Sequence, residues 1–435
     1  MTGTKIHLNH LTYLDEQKIN YRHMQIATIA GIGFFTDAYD IFIIAVVTSI
    51  LEPIWKLSLL QISLLNAASL ISAPLGAIFF GFYADKLGRK KFYGFEIAIL
   101  FFGAILSGIS NGFIWLFFSR LLLGFGIGGD YPSSAVVASE YANRKNRGFI
   151  VLFVFCMQAL GLLLGPLCAA FFLAVHIPEE YVWRILLLIG AIPALFVFHY
   201  RRKISETPRY IFNQKNSLIY IEETTYLFLK KHSIFSWRWF KPLLGTCGAW
   251  FLFDIAFYGN AVSSILIINN LHPNSSLLQY ILLTAMIFIV FAFPGYILSA
   301  IFVDKIGRRY LQSIGFFIMS ICYAAMGLIP HIEHHLMIFV TLFGLSFFFI
   351  NFGPNATTFL IPSEIFPTEI RAQAHGISAA LGKIGALIGV CLLPPILSSY
   401  HFSCTMWFVA IISILGAVIT QFLPEMSGQS LEMTE

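Results

Sequence analysis

Asp85-Lys86-Leu87-Gly88-Arg89-Lys90 and Asp304-Lys305-Ile306-Gly307-Arg308-Arg309 follow one pattern, Asp-Lys-x-Gly-Arg-basic. The copies lie 219 positions apart (85 to 304) in a chain of 435 residues, each between two long apolar runs. A second pair follows. Ser139-Glu140 with Arg147 returns as Ser363-Glu364 with Arg371, 224 positions on (139 to 363). Charged loops repeated at half the chain length, with apolar runs between them, describe a duplicated membrane bundle.

The composition agrees. The chain is 58% hydrophobic and 11% charged, with a mean hydropathy of +0.78, where soluble proteins carry roughly 25% charged residues. Such a chain cannot cover a water-facing surface. Apolar stretches of about 20 residues point to spanning helices rather than to barrel strands of ~10 alternating residues. Residues 1–22 are polar and hold no cleavable-signal pattern. Six cysteines scattered through apolar segments read as packing thiols rather than a disulfide framework or metal site. The net charge of +5 resides in loops between spans and is no nucleic-acid signature. No nucleophile triad, metal-ligand spacing or nucleotide loop points to an enzyme, and no cofactor is expected.

Twelve helices are expected at about 24–50, 61–83, 92–112, 114–137, 148–174, 183–200, 242–268, 278–302, 310–330, 336–361, 372–397 and 402–423. They divide the chain into an N-terminus (1–23), a six-helix bundle (24–200), a linker (201–241), a second six-helix bundle (242–423) and a C-terminus (424–435). The linker is expected to form short helices on the membrane face. Of 27 Lys and Arg, 23 fall in the N-terminus and the loops after helices 2, 4, 6, 8 and 10; the opposite loops hold only Lys56. The positive-inside rule puts that side, both termini and the linker in the cytoplasm of a cell or plasma membrane.

An ionisable group at the centre of a spanning helix costs about 2.5–3.5 kcal/mol on insertion scales, so it normally faces the bundle interior. Candidates are Asp37 and Asp40 in helix 1, Arg120 and Asp130 in helix 4, Asp254 in helix 7 and Lys383 in helix 11. Arg120 can be read as a helix-fastening ion pair. The groups at Asp85, Gly88, Arg89, Arg120, Glu140 and Arg147, with Asp304, Gly307, Arg308, Glu364 and Arg371, read as gate latches. Trp250, Asp254 and Tyr258 are spaced i, i+4, i+8, which places an indole, a carboxyl and a phenol on one stripe of a helix. The bland alternative is an aromatic packing stripe with a satisfied aspartate. Helix 4 runs Gly124-x-Gly126-x-Gly128-Gly129-Asp130-Tyr131-Pro132, which permits close helix approach and a bend at Pro132. Helix 10 carries Asn351-Phe352-Gly353-Pro354-Asn355, and helix 5 places Gln158 in an apolar run. Interrupted helices at matching positions of two repeats mark the midplane site of a transporter. At the 224 offset, Asp130 falls on Pro354 and Tyr131 on Asn355, so the halves differ where the gates match.

The two Asp-x-x-Gly-Arg loops and the Arg120 glycine run resemble the major facilitator superfamily, whose fold is two pseudo-symmetric six-helix bundles. Ser205-Glu206-Thr207-Pro208-Arg209 is similar to a signature of its sugar porters. Residues 33–40, 128–132, 250–259, 351–359 and 374–380 resemble the phosphate:proton symporter family more specifically. That resemblance implies that Tyr131, Gln158, Trp250, Asp254, Tyr258 and Asn355 hold inorganic phosphate, with Lys383 close by. It implies proton movement toward the cytoplasm through Asp37, Asp40 and Asp130. A carboxyl beside an anionic substrate favours its protonated form, so Asp254 is expected to couple proton and phosphate binding, in a unit that works as a monomer in the bilayer. Ala356 stands where that family commonly has threonine, and the linker is short. The ligand set is rich in donors, which suits an oxyanion. The alternatives are a proton-coupled sugar or polyol transporter, a carrier of another small oxyanion, and a transporter-like receptor; a channel fits poorly with paired latch loops.

Overall fold

The computed structural model describes residues 12–219, 234, 236–271, 277–332, 335–399 and 402–431. Among them are twelve helices long and apolar enough to cross a membrane, and no strand. They are α1 (Tyr21–Trp55), α2 (Leu59–Leu87), α3 (Arg89–Gly108), α4 (Phe113–Tyr141), α5 (Arg147–Ala174) and α6 (Glu179–Arg201), then α7 (Trp237–Asn260), α8 (Ile281–Ile306), α9 (Arg308–Leu328), α10 (Leu336–Ile365), α11 (Arg371–Leu397) and α12 (Phe402–Thr420). The helical backbone of α7 runs on to Leu271. One helix answers each expected apolar run. At the starts of α1 and α2 the helix begins before the apolar run because a polar cap extends it: Asn20 closes a capping box with His23, and Ser58 does so with Gln61.

The gate turns explain their glycines. Gly88 has φ 102° and Gly307 φ 98°, in the left-handed region that favours glycine. A Cβ would also strike an acid at each: Glu206 Oε2 at 2.5 Å from Gly88, and Glu425 Oε2 at 2.7 Å from Gly307. The six helices before the linker meet the six after it chiefly along α2–α11 and α5–α8. The α2–α11 seam is close because Gly376 presents no side chain; a Cβ there would stand 2.3 Å from the Ala77 carbonyl.

Three expectations change. Helix α4 continues through Pro132 without a break, since a single missing N–H bends a helix more readily than it ends one. Helix α10 is interrupted at Gly353 (φ −111°, ψ −103°), where Pro354 begins a new segment, so the interruption belongs to one half only. In the linker a helix forms at Pro208–Ile219, but its Arg209 and the later Trp239 are buried, Trp239 against Phe366 at 5.8 Å. The rest of the expected linker helices, at 220–233 and 235, lie outside the described residues.

Candidate functional site

The buried midplane collects side chains from both halves. Lys383 on α11 donates to the Tyr131 phenol of α4 (2.8 Å) and to the Tyr258 phenol of α7 (2.7 Å). Its ammonium lies 3.8 Å from Asp254 Oδ2, which makes no hydrogen bond. The i, i+4 spacing explains this: Asp254 and Tyr258 share a face of α7, so one lysine reaches both. Trp250, one turn earlier, packs on Gly382, where a Cβ would meet its Cδ1 at 2.4 Å, and its ring stands 5.9 Å from that of Tyr131. Asn355, just past the α10 interruption, donates to the Tyr296 hydroxyl (2.8 Å) and to Asn351 Oδ1 (2.7 Å). The Gln158 carbonyl oxygen is buried without a partner. All seven residues read from the sequence as ligands are thus buried. Lys383 directly joins Tyr131, Tyr258 and Asp254.

Phe34, Phe155 and Phe359 lie together against Tyr131 and Tyr296, with ring centroids 4.7–6.3 Å apart. His375 backs this layer, edge-on to Trp250 and Phe359, and its Nε2 lies 3.0 Å from the Phe359 carbonyl. On the face away from the gate loops, an apolar cleft between the halves is lined by Phe42, Ile44, Leu162, Tyr258, Phe288 and Phe343 among others.

The acids of α1 and α4 differ in their partners. Both Asp37 oxygens are buried without hydrogen bonds, as are those of Asp40. Asp130 is gripped by Arg201 through two contacts, Nη1 to Oδ1 at 2.6 Å and Nη2 to Oδ2 at 3.0 Å, and by Ser134 at 2.6 Å. Arg201 also reaches Glu96 Oε1 at 3.1 Å. Neither Glu96 nor Arg201 stood out in the sequence. Arg201 ends α6 and looks like one more loop charge, although its side chain is fully buried.

The gates do converge, with one exception. Asp85 accepts from the amides of Ala372 (3.2 Å) and Gln373 (2.7 Å) at the start of α11. Asp304 accepts from Gly148 (3.1 Å) and Phe149 (2.8 Å) at the start of α5. Each therefore caps a helix N-terminus in the other half, where four amides lack partners and the dipole favours an anion. Glu140 bonds Arg89 and, across the halves, Arg371, both at 3.0 Å. Glu364 bonds Arg308 (2.9 Å) and, across the halves, Arg147 (2.7 Å). Arg120 stands apart: it donates to the Asp40 carbonyl within its own half. Two acids missed in the sequence complete the turns. Glu206 accepts from the amides of Arg89 and Lys90, and Glu425 from those of Arg308 and Arg309. They too are separated by 219 positions (206 to 425), a signal that was present. With these contacts made, the face bearing the gates, linker and termini is closed.

Residues 30–361 match the Major Facilitator Superfamily. The chain is 35% identical to a probable inorganic phosphate transporter 1-6 of Arabidopsis thaliana, covering 97% of this chain and 95% of that one. It is 34% identical to inorganic phosphate transporter 1-11 of Oryza sativa subsp. japonica, covering 97% and 89%. Among solved structures, a proton:xylose symporter, XylE, bound to 6-bromo-6-deoxy-D-glucose superposes with a TM-score of 0.79 at 20% identity, covering 94% of this chain and 98% of that one. Sequence repeats, fold and relatives thus agree that this multi-pass membrane protein belongs to the inorganic phosphate transporter family of the major facilitator superfamily.

Proposed function

We propose that this chain carries inorganic phosphate across a cell membrane together with protons, by exposing one midplane site alternately to either face. The observation that carries the reading is the Lys383 ammonium held between the phenols of both halves and 3.8 Å from an unbonded Asp254 oxygen. A cation, two phenols, an indole and two amides suit a small oxyanion; a sugar site has no need of a buried lysine. The relatives' names point the same way.

The gate-bearing face is cytoplasmic in this reading, because 23 of 27 basic residues lie in the chain segments on that side. The cleft above Tyr258 is then the route from outside. Asp254 takes up a proton and keeps it, its carboxyl O–H donating a hydrogen bond to a phosphate oxygen, while Lys383 releases its phenols to the anion and the phenols turn their hydroxyls toward it. The halves then rock as bodies. The caps at Asp85 and Asp304 and the pairs Glu140–Arg371 and Glu364–Arg147 break, and the inner face opens. Loss of the proton leaves a carboxylate that repels phosphate and draws Lys383 back, so release and reset share one ion pair. Asp37, Asp40 and Asp130 serve the proton's way out, with Arg201 as the counter-charge at Asp130. Arg120 holds α4 to α1 near Asp40. The monomer is the working unit and performs no bond chemistry.

The test is uptake of labelled phosphate into proteoliposomes with and without an inward proton gradient. Wild-type protein should accumulate phosphate only with the gradient, and unlabelled sulfate or glucose in excess should not compete. Asp254→Asn should lose gradient-driven accumulation while still exchanging phosphate for phosphate. Competition by glucose would move the substrate to the sugar class, and full accumulation by Asp254→Asn would remove that residue from the coupling.

A further inference from the structure

On the outer surface near the gate-bearing face, α1 and α6 leave a groove lined by Tyr21, Met24, Gln25, Thr28, Phe196 and Tyr200, with Ile29, Ile32 and Val197 completing it. Three features set it apart from a plain lipid-facing surface. First, polar side chains line it. Gln25 is exposed and Thr28 half-buried, and neither has a hydrogen-bond partner among the described residues. At 1.5 Å per residue they sit roughly 6 and 10 Å inward of Tyr21, the first residue of α1, where hydrocarbon offers a polar group nothing to bond. Second, phenols stand at its mouth: Tyr21 begins α1 and is 81% exposed, and Tyr200 is the penultimate residue of α6, as interfacial anchors do. Third, its rim is basic. Lys203 Nζ lies 5.5 Å from the Tyr200 ring, and Arg22, next to Tyr21, is held at the start of α1 by a 3.0 Å bond to Ser205; the Arg202 guanidinium lies over Phe198, away from the groove. The nearest acid of that turn, Glu206, is occupied by the amides of Arg89 and Lys90.

We propose that this groove is a site for one glycerophospholipid with an anionic headgroup. The headgroup phosphate seats on Lys203, with Arg22 adding charge. The Gln25 amide and Thr28 hydroxyl donate to the ester carbonyls, and an acyl chain runs along Ile29, Ile32 and Phe196. The orientation fits, since the cytoplasmic leaflet is the anionic one. This placement rests on the functional reading only for which leaflet is concerned; the binding test below does not involve transport.

The experiment is native mass spectrometry of the detergent-purified protein titrated with phosphatidylglycerol or phosphatidylcholine. Wild type should hold one phosphatidylglycerol at least tenfold more tightly than phosphatidylcholine. Lys203→Gln should weaken it about fivefold, since each basic residue near an anionic surface contributes on the order of a fivefold factor. Gln25→Leu with Thr28→Val should weaken both lipids alike, and Lys91→Gln, an exposed basic residue at the start of α3, should weaken neither. Soluble glycerol phosphate in excess should not displace the bound lipid. The proposal is overturned if the two lipids bind equally, if the Lys203→Gln variant matches wild type or Lys91→Gln, or if glycerol phosphate displaces the lipid. All these side chains face outward, and an unchanged unfolding temperature establishes that each variant is folded.

Discussion

Asp304→Asn should open the gate-bearing face, and the size of the effect follows from which contacts cross between the halves. The carboxylate accepts from Gly148 at 3.1 Å and Phe149 at 2.8 Å, both in the other half, and pairs with Arg308 at 2.8 Å in its own. Only the first two are lost on opening; the third persists in either state and cancels. Asparagine keeps one acceptor and turns its amide N–H₂ toward the second backbone donor. Two bonds to a charged acceptor, about 1.5–3 kcal/mol each, become one neutral bond of about 1 kcal/mol. With the aspartate side chain 15% exposed, the low end of that difference applies, about 2 kcal/mol, or roughly a 30-fold shift in the closed-to-open ratio. Electron–electron resonance distances between spin labels on Lys91→Cys and Tyr310→Cys would read it, with the exposed native thiols Cys391 and Cys404 changed to serine. The closed-state distance should lose population to a longer one. Asp85→Asn should do the same, because its bonds at 3.2 and 2.7 Å are equivalent and its side chain is only 5% exposed. Unchanged distances in both variants would refute the assignment of these acids as latches between the halves.

Other perturbations test other parts. Gly382→Ala places a methyl 2.4 Å from Trp250 Cδ1. Overpacking of this kind costs about 1–3 kcal/mol, so the KM for phosphate uptake should rise several-fold or more, with protein yield unchanged; an unaltered KM would show that Trp250 does not shape the site. Arg201→Met leaves Glu96 and Asp130 buried without their counter-charge, a loss of about 3–5 kcal/mol. Thermal unfolding in detergent should begin at a lower temperature, and Arg201→Met with Asp130→Asn should recover part of it; no recovery would separate Arg201 from Asp130. Lys383→Gln should abolish concentrative uptake and leave the closed-face distances intact, whereas altered distances would make Lys383 a structural tie between the halves.

The gates were readable because their logic is local and repeated. A glycine forced to positive φ, an acid three residues before it and a basic residue after it survive in one dimension, twice. The ligand stripe on α7 was readable for the same reason: helical spacing alone puts Trp250, Asp254 and Tyr258 on one face. What escaped depends on where a helix end points. Arg201 sits at a span boundary, where periodicity does not distinguish a side chain turned back into the bundle from one turned to water. Glu96 lies two turns into α3, soon after Lys90 and Lys91, which are exposed. Tyr296 and Asn351 orient Asn355 from another helix and from one turn away, and Tyr296 in an apolar run carries no mark of polarity beyond its own hydroxyl. Pro132 misled in the other direction, since α4 absorbs a proline that α10, with glycine before it, does not.

Asp85 seats on the start of α11, and Asp304 on the start of α5. In a homodimer this would be called an isologous interface: the same patch used twice about a two-fold axis. The closed face of this single chain has that form, with each half lending the other the anion that finishes its helix. Neither six-helix half is therefore electrostatically complete alone, and the two made as separate chains carry in these caps the information to find one another in the correct orientation.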